Sequence, residues 1–138
     1  MRVLALDIGE ARIGVAVSDP HQTLARSLTV IERSSRQRDF AAIGCLVREL
    51  GVEKVIVGHP LSVDGTVGPQ ARRVRRYAAA LAQTLDVPVV LRDERFSTVE
   101  AQQLMIEAGY KRKTRRRKID AVAAAVLLQD YLDAHLDR

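Results

Sequence analysis

The chain has no tryptophan, a single cysteine and few aromatic residues, 4% of its 138 residues. The lone Cys45 excludes an internal disulfide and a cysteine-based zinc site. Its place in an apolar helical pattern suggests a buried structural thiol. Phe40, Tyr77, Phe96, Tyr110 and Tyr131 are too scattered to form the base-stacking platform of many single-strand binders, and only Tyr110, beside a basic stretch, is placed for one stacking contact. The longest apolar run, Ala121 to Leu128, is too short to span a bilayer. The chain opens directly on a strand-like run, without signal-peptide architecture. Together these absences suggest a cytoplasmic chain with no membrane partner. The length fits one domain, 1–138, with one core.

What is present is ordinary globular hydrophobicity, 47%, and a net charge of +5. The first excludes disorder and the second favours polyanionic partners such as nucleic acid. Val3 to Ile8 is a compact apolar run, and Arg12 to Ser18 alternates with Ile13, Val15 and Val17 on one face. The short link at Gly9 reads as a hairpin turn. Leu24 to Ile31 reads as a third strand. Asp39 to Leu50 has helical spacing and ends at Gly51, a C-cap. A short strand from Val55 closes at Gly58-His59-Pro60, and Leu61 to Pro69 is a loop. A helix over 70–85, a strand over 87–91 and a helix opened by a Ser97/Glu100 capping box follow. After Gly109 comes a basic loop, then a last helix from Ile119 to His135. This order predicts an α/β fold, a mixed five-stranded sheet with three antiparallel strands and then parallel ones, flanked by helices.

Asp7, the pair Asp93 and Glu94, and Asp120 place acids at the edges of strongly apolar elements. Val3, Ala5 and Asp7 share one strand face. Sites in open α/β sheets gather at the carboxyl ends of strands, where Asp7 and the Asp93–Glu94 pair both fall. If those two strands are parallel neighbours, the acids meet at one edge. Asp120 shares a helix face with Ala123, Ala124 and Leu127, small enough to let the helix approach the sheet. The plain alternatives are turn contacts for Asp7, an N-cap for Asp120, and a structural pairing with Arg92 or Arg95 for one of the adjacent acids. Spacing does not choose between Asp93 and Glu94. Converging carboxylates repel one another unless a cation lies between them, and hard divalent cations, Mg2+ or Mn2+, take such oxygen ligands. In a basic chain this donor set points to metal-dependent cleavage of phosphodiesters. His59 could assist proton transfer, but its place before Pro60 favours a loop-capping or surface role.

Residues 111–118 carry seven basic side chains in eight positions: Lys111, Arg112, Lys113, Arg115, Arg116, Arg117 and Lys118. Like charges at this density repel, which favours a phosphate-binding role beside Asp120. Arg72, Arg73, Arg75 and Arg76 span about 160° of a helix surface, a second basic flank. Backbone and shape recognition of structured RNA or branched DNA is therefore expected over base readout.

Leu6-Asp7-Ile8-Gly9, Arg12-Ile13-Gly14-Val15-Ala16, Val57-Gly58-His59-Pro60 with Asp64-Gly65, Asp93-Glu94-Arg95-Phe96-Ser97-Thr98 and Asp120-Ala121-Val122-Ala123-Ala124 occur in that order. This joint pattern resembles the YqgF family, also called RuvX, over nearly the whole chain. The resemblance implies an RNase H-like fold and either pre-16S ribosomal RNA processing or Holliday junction resolution. It also implies a catalytic, metal-binding set of Asp7, Glu94 and Asp120, choosing Glu94 over Asp93. Arg95, Ser97, Thr98 and the Gly58–Pro60 turn are implied near the site, with Arg95 among the nucleic-acid contacts. His59 departs from the family, whose members commonly carry an apolar residue there. Expected partners are nucleic acid and ribosomal precursor particles, with the chain as monomer or homodimer; a resolvase making two symmetric cuts should dimerise.

Overall fold

The structure, a computed structural model, describes residues 1–62, 64–93 and 112–135, with side chains in the last stretch from residue 121 onward. The elements in order are β1 (Arg2–Ile8), β2 (Arg12–Ser18), β3 (Ala25–Glu32), α1 (Arg36–Leu50), β4 (Val52–His59), α2 (Pro69–Thr84), β5 (Val89–Asp93) and α3 (Arg112–His135). One five-stranded sheet runs β3-β2-β1-β4-β5. The β1/β2 and β2/β3 pairs are antiparallel, and β1/β4 and β4/β5 are parallel. The expected mixed sheet is present. The first and last strands are parallel but not neighbours, because β4 lies between them.

Alternation sorts the strand side chains into two cores. Leu4, Leu6 and Ile8 of β1 join Val55 and Val57 of β4 beneath α1 and α2. Val3 and Ala5 face the other way and join Ala16, Ile56 and the α3 residues Ala124, Leu127, Leu128 and Leu132. Both sheet faces are covered, so the central strands are apolar on both sides. Each fully buried Leu or Ile contributes about 1.5–3 kcal/mol, offset by the ordering entropy of the chain.

The helices are bounded by local chemistry. Ser35 caps α1 by accepting from the Arg38 amide, and Gly51 ends it with φ of 64°. Pro69 opens α2, where its missing N–H costs nothing. α3 starts at Arg112, so the basic segment expected as a loop is helical. Arg and Lys are good helix formers, and a helix nucleated on the packed alanine-leucine segment propagates backwards at one hydrogen bond per residue. Cys45 is exposed, contrary to the expected buried thiol. The α1 core positions Ile43 and Val47 turn Cys45 outward, where its thiol donates to Glu49 Oε1 at 3.2 Å. The Ser97/Glu100 capping box and the helix it opens lie outside the described residues.

Candidate functional site

The carboxyl ends of β1, β4 and β5 lie at one edge of the sheet, because these strands are mutually parallel. Asp7, half-buried near the end of β1, is on the α3 side by alternation with Val3 and Ala5. On β2 its partner is Gly14. Continuing the Leu6–Val57 register by one residue sets Gly58 of β4 on its other side. Neither flanking residue carries a Cβ, so the two strand positions beside Asp7 bear no side chains. A hard oxygen donor in such a cradle fits a divalent cation.

α3 runs diagonally across this face. The Ser27 hydroxyl donates to the Ala121 carbonyl at 3.2 Å, and the Ala25 amide donates to Gln129 Oε1 at 2.9 Å. Ser27 is level with Ala16 and through it with Ala5, whereas Ala25 is level with Ser18, whose hydroxyl accepts from the Val3 amide. Moving back along α3 therefore moves towards the carboxyl end of β1. Asp120 precedes Ala121 in that direction, and Ala123, Ala124 and Leu127, the face that helical spacing assigns to Asp120, are buried. The helix begins at Arg112, which removes the N-cap alternative for Asp120. Glu94 lies outside the described residues, as does the side chain of Asp120. Among the described residues no group of three His, Cys, Asp or Glu could hold a metal ion, but two members of the expected set fall outside that search.

Asp93 is separated from Asp7 by sheet geometry. Val89, on the same β5 face as Asp93, packs in the α1/α2 core, whereas Arg92 pairs with Asp130 of α3 at 2.9 Å. His59 shares the α1/α2 side with Asp93, its register partner. The expected loop-capping or surface position for His59 is corrected: it ends β4, it is 7% exposed, and its Nε2 has no hydrogen-bond partner. Burial lowers its pKa, the Arg75 charge pushes the same way, and Asp93 opposes both. The ring is therefore neutral near pH 7, and it lies on the opposite side of the sheet from Asp7.

The basic residues divide by element. Arg72, Arg73, Arg75 and Arg76 are all exposed on α2. Arg112, Lys113, Arg115, Arg116, Arg117 and Lys118 occupy the first turns of α3, while Arg95 and Lys111 lie outside the described residues. A cleft of about 240 Å³ opens at the carboxyl end of β1 on the α1/α2 side, lined in part by Gly9, Arg33, Arg36, Arg73, Arg76 and Tyr77. Its floor is a buried polar knot. Asp39, 3% exposed, accepts from the Tyr77 hydroxyl at 3.0 Å and from the Ser34 amide at 3.1 Å. Burial and then this hydrogen bond raise the Tyr77 pKa. Arg33 lies over the Tyr77 ring at 4.8 Å and donates to the Gly9 carbonyl at 2.7 Å. The sequence reading missed Arg33 and Arg36. One signal was available: Arg36 and Arg38 sit in the first turn of α1, where the helix dipole favours acids and disfavours cations.

Comparison with known proteins adds the following. Residues 1–134 match the family described as RuvX: Holliday junction resolvase. The chain is 43% identical to a protein of Thermoanaerobacter pseudethanolicus named "Putative pre-16S rRNA nuclease", covering all of both chains. It is 46% identical to a protein of Moorella thermoacetica of the same name, covering 96% of this chain and 95% of that one. Among solved structures it is similar to T. thermophilus RuvC in complex with a Holliday junction substrate, with a TM-score of 0.62, 19% identity and coverage of 99% and 96%. At that identity the likeness establishes the fold, which is the RNase H-like one expected.

Proposed function

The chain belongs to the RuvX family, and from that premise we propose that it is a divalent-metal-dependent nuclease hydrolysing phosphodiester bonds in structured nucleic acid. Processing of the 5′ end of pre-16S ribosomal RNA is its foremost task, in line with the names of relatives 43% and 46% identical. The observation that carries the reading is Asp7 at the carboxyl edge of the central sheet, between Gly14 and Gly58, with α3 bringing Asp120 towards the same edge.

Asp7, Glu94 and Asp120 would hold Mg2+ or Mn2+, their hard oxygen donors matching those ions. When bound, such a cation lowers the pKa of a water and neutralises charge building on phosphoryl oxygens. The residues of this chain do the rest. Arg72, Arg73 and Arg76 of α2 grip the phosphodiester strand, together with Arg95, Lys111, Arg112, Lys113, Arg115, Arg116, Arg117 and Lys118. Their contacts orient the backbone without reading sequence. The neutral His59, on the other side of the sheet, supports β4 and leaves proton transfer to groups on the Asp7 side.

A Holliday junction substrate is the second reading, favoured by the description of the family. It uses the same carboxylates and adds one requirement, a dimer with two symmetric sites. Its site of action in this reading is the cytoplasm, on ribosomal precursor particles; no helix among the described residues is long and apolar enough to cross a membrane.

The test is Asp7→Asn. Cleavage should fall by at least about 10²-fold, since loss of even an outer-shell partner of a metal ligand costs roughly 10–100-fold. Affinity for nucleic acid should hold or rise, because one negative charge near the strand is removed. Retained cleavage would remove Asp7 from the mechanism.

A further inference from the structure

The cleft between the amino-terminal turns of α1 and α2 lies on the opposite side of the sheet from Asp7, so the carboxylate site does not explain Arg33 and Arg36, nor why Arg73 and Arg76 converge on them. We propose that this cleft is a phosphate-binding subsite, taking a phosphate of the substrate strand a short way from the one that is cut. The proposal rests on the nuclease reading for its substrate but not for its binding chemistry.

Four arginines, Arg33, Arg36, Arg73 and Arg76, line the cleft against one acid, Glu10. A cluster of like charges is costly unless something compensates it, and two of the four are visibly arranged from below. Arg33 is fixed by the Gly9 carbonyl and the face of Tyr77, and its distance to Asp39 Oδ2 is 3.8 Å. Arg36 lies over the same ring at 5.7 Å. Arg73 and Arg76 project from exposed positions on α2 and form no ion pair among the described residues. The backbone adds to the positive field. The first turn of α2 has no acid, and its cap residue, Gly68, has no side chain with which to cap the helix amides. Guanidinium groups suit phosphate oxygens because their planar donors can bind two at once.

Placement connects the cleft to the strand. Gly9 lines it, and Gly9 is two residues beyond Asp7, at most about 7 Å along the chain. A strand crossing the carboxyl edge of β1 can therefore meet Asp7 with one phosphate and the cleft with another. Either an internal phosphodiester or a terminal 5′-phosphate would satisfy the same donors.

The test uses the full chain without added metal, so it does not depend on cleavage. Inorganic phosphate is titrated while backbone amide shifts are followed. Movement of the Gly9, Gln70 and Arg73 amides, lost in Arg73→Gln/Arg76→Gln, is the expected result. Single-stranded oligonucleotides with 5′-phosphate or 5′-hydroxyl ends are then bound across a salt series. The double variant should weaken binding roughly tenfold or more at 0.1 M salt and flatten the salt slope by about 0.7 per lost contact. Arg26→Gln/Arg48→Gln, with the same charge change elsewhere, should not. Weakening for both ends assigns an internal phosphate, and weakening confined to the 5′-phosphate form assigns a terminal one. Amides that stay still, or a slope equal to that of the control pair, would overturn the subsite. Phosphate binding here with no cleavage of any substrate would leave the subsite standing and remove the nuclease reading.

Discussion

Gly9→Ala is the substitution for which the structure gives the sharpest magnitude. A Cβ on Gly9 would lie 2.8 Å from the carbonyl oxygen of Arg12, a backbone atom that cannot rotate away. That same oxygen accepts the Gly9 amide at 2.8 Å, closing the β1–β2 turn. Relief of the clash requires opening the turn, so both costs arise together. Overpacking costs about 1–3 kcal/mol and a lost hydrogen bond about 1 kcal/mol, a total of about 2–4 kcal/mol. For a domain of this size that corresponds to a fall in Tm of roughly 8–16 °C. Gly51→Ala is the comparison, since its Cβ meets nothing within 4 Å and pays only for φ of +64°. It should lose about 1–2 kcal/mol, or roughly 4–8 °C. The two should also differ in function. Opening the Gly9 turn disturbs the Asp7–Gly14 pairing, so cleavage should fall even well below the Tm of the variant. Gly51 lies at the far end of α1, and its variant should cleave normally under the same conditions. Thermal unfolding by circular dichroism measures the first effect. A Gly9→Ala protein melting within about 2 °C of the parent chain would refute the reasoning.

Two further outcomes follow from the buried polar groups. Tyr77→Phe removes a hydrogen bond to the buried Asp39 carboxylate and should destabilise the chain by about 1–3 kcal/mol in urea unfolding; an unchanged midpoint would show that the Ser34 amide and Arg33 suffice. His59 has a lowered pKa when folded, so below about pH 6.5 the unfolded chain binds more protons. Its share of stability is present above that pH and is lost on acidification. His59→Leu should therefore flatten the pH dependence of unfolding between pH 5 and 7, and an unaltered slope would contradict the buried neutral ring.

The sheet and the edge at which Asp7 lies were legible because alternation and caps are local signals. Val3, Ala5 and Asp7 fall on one strand face by period alone, and Gly51 marks a helix end by its own chemistry. The start of α3 was not, because charge density reads as a loop while helix propagation from a packed segment is cooperative. Cys45 was misread because its apolar neighbours conceal which side of α1 faces inward. The burial of His59 depends on α2 and β5, far away in sequence. The arginine cleft was hidden for the same reason, since Arg33 and Arg36 meet Arg73 and Arg76 only through tertiary packing. The choice of Glu94 came from family resemblance, and Glu94 lies outside the described residues.

The most direct measurement is cleavage of a 16S precursor fragment carrying its 5′ extension, side by side with a four-way DNA junction. Each is incubated with the chain in Mg2+, Mn2+ or chelator, with Asp7→Asn in parallel. The account predicts cutting of the precursor that requires a divalent cation and disappears in the variant. Tight binding of both substrates with no cutting under either metal would contradict it.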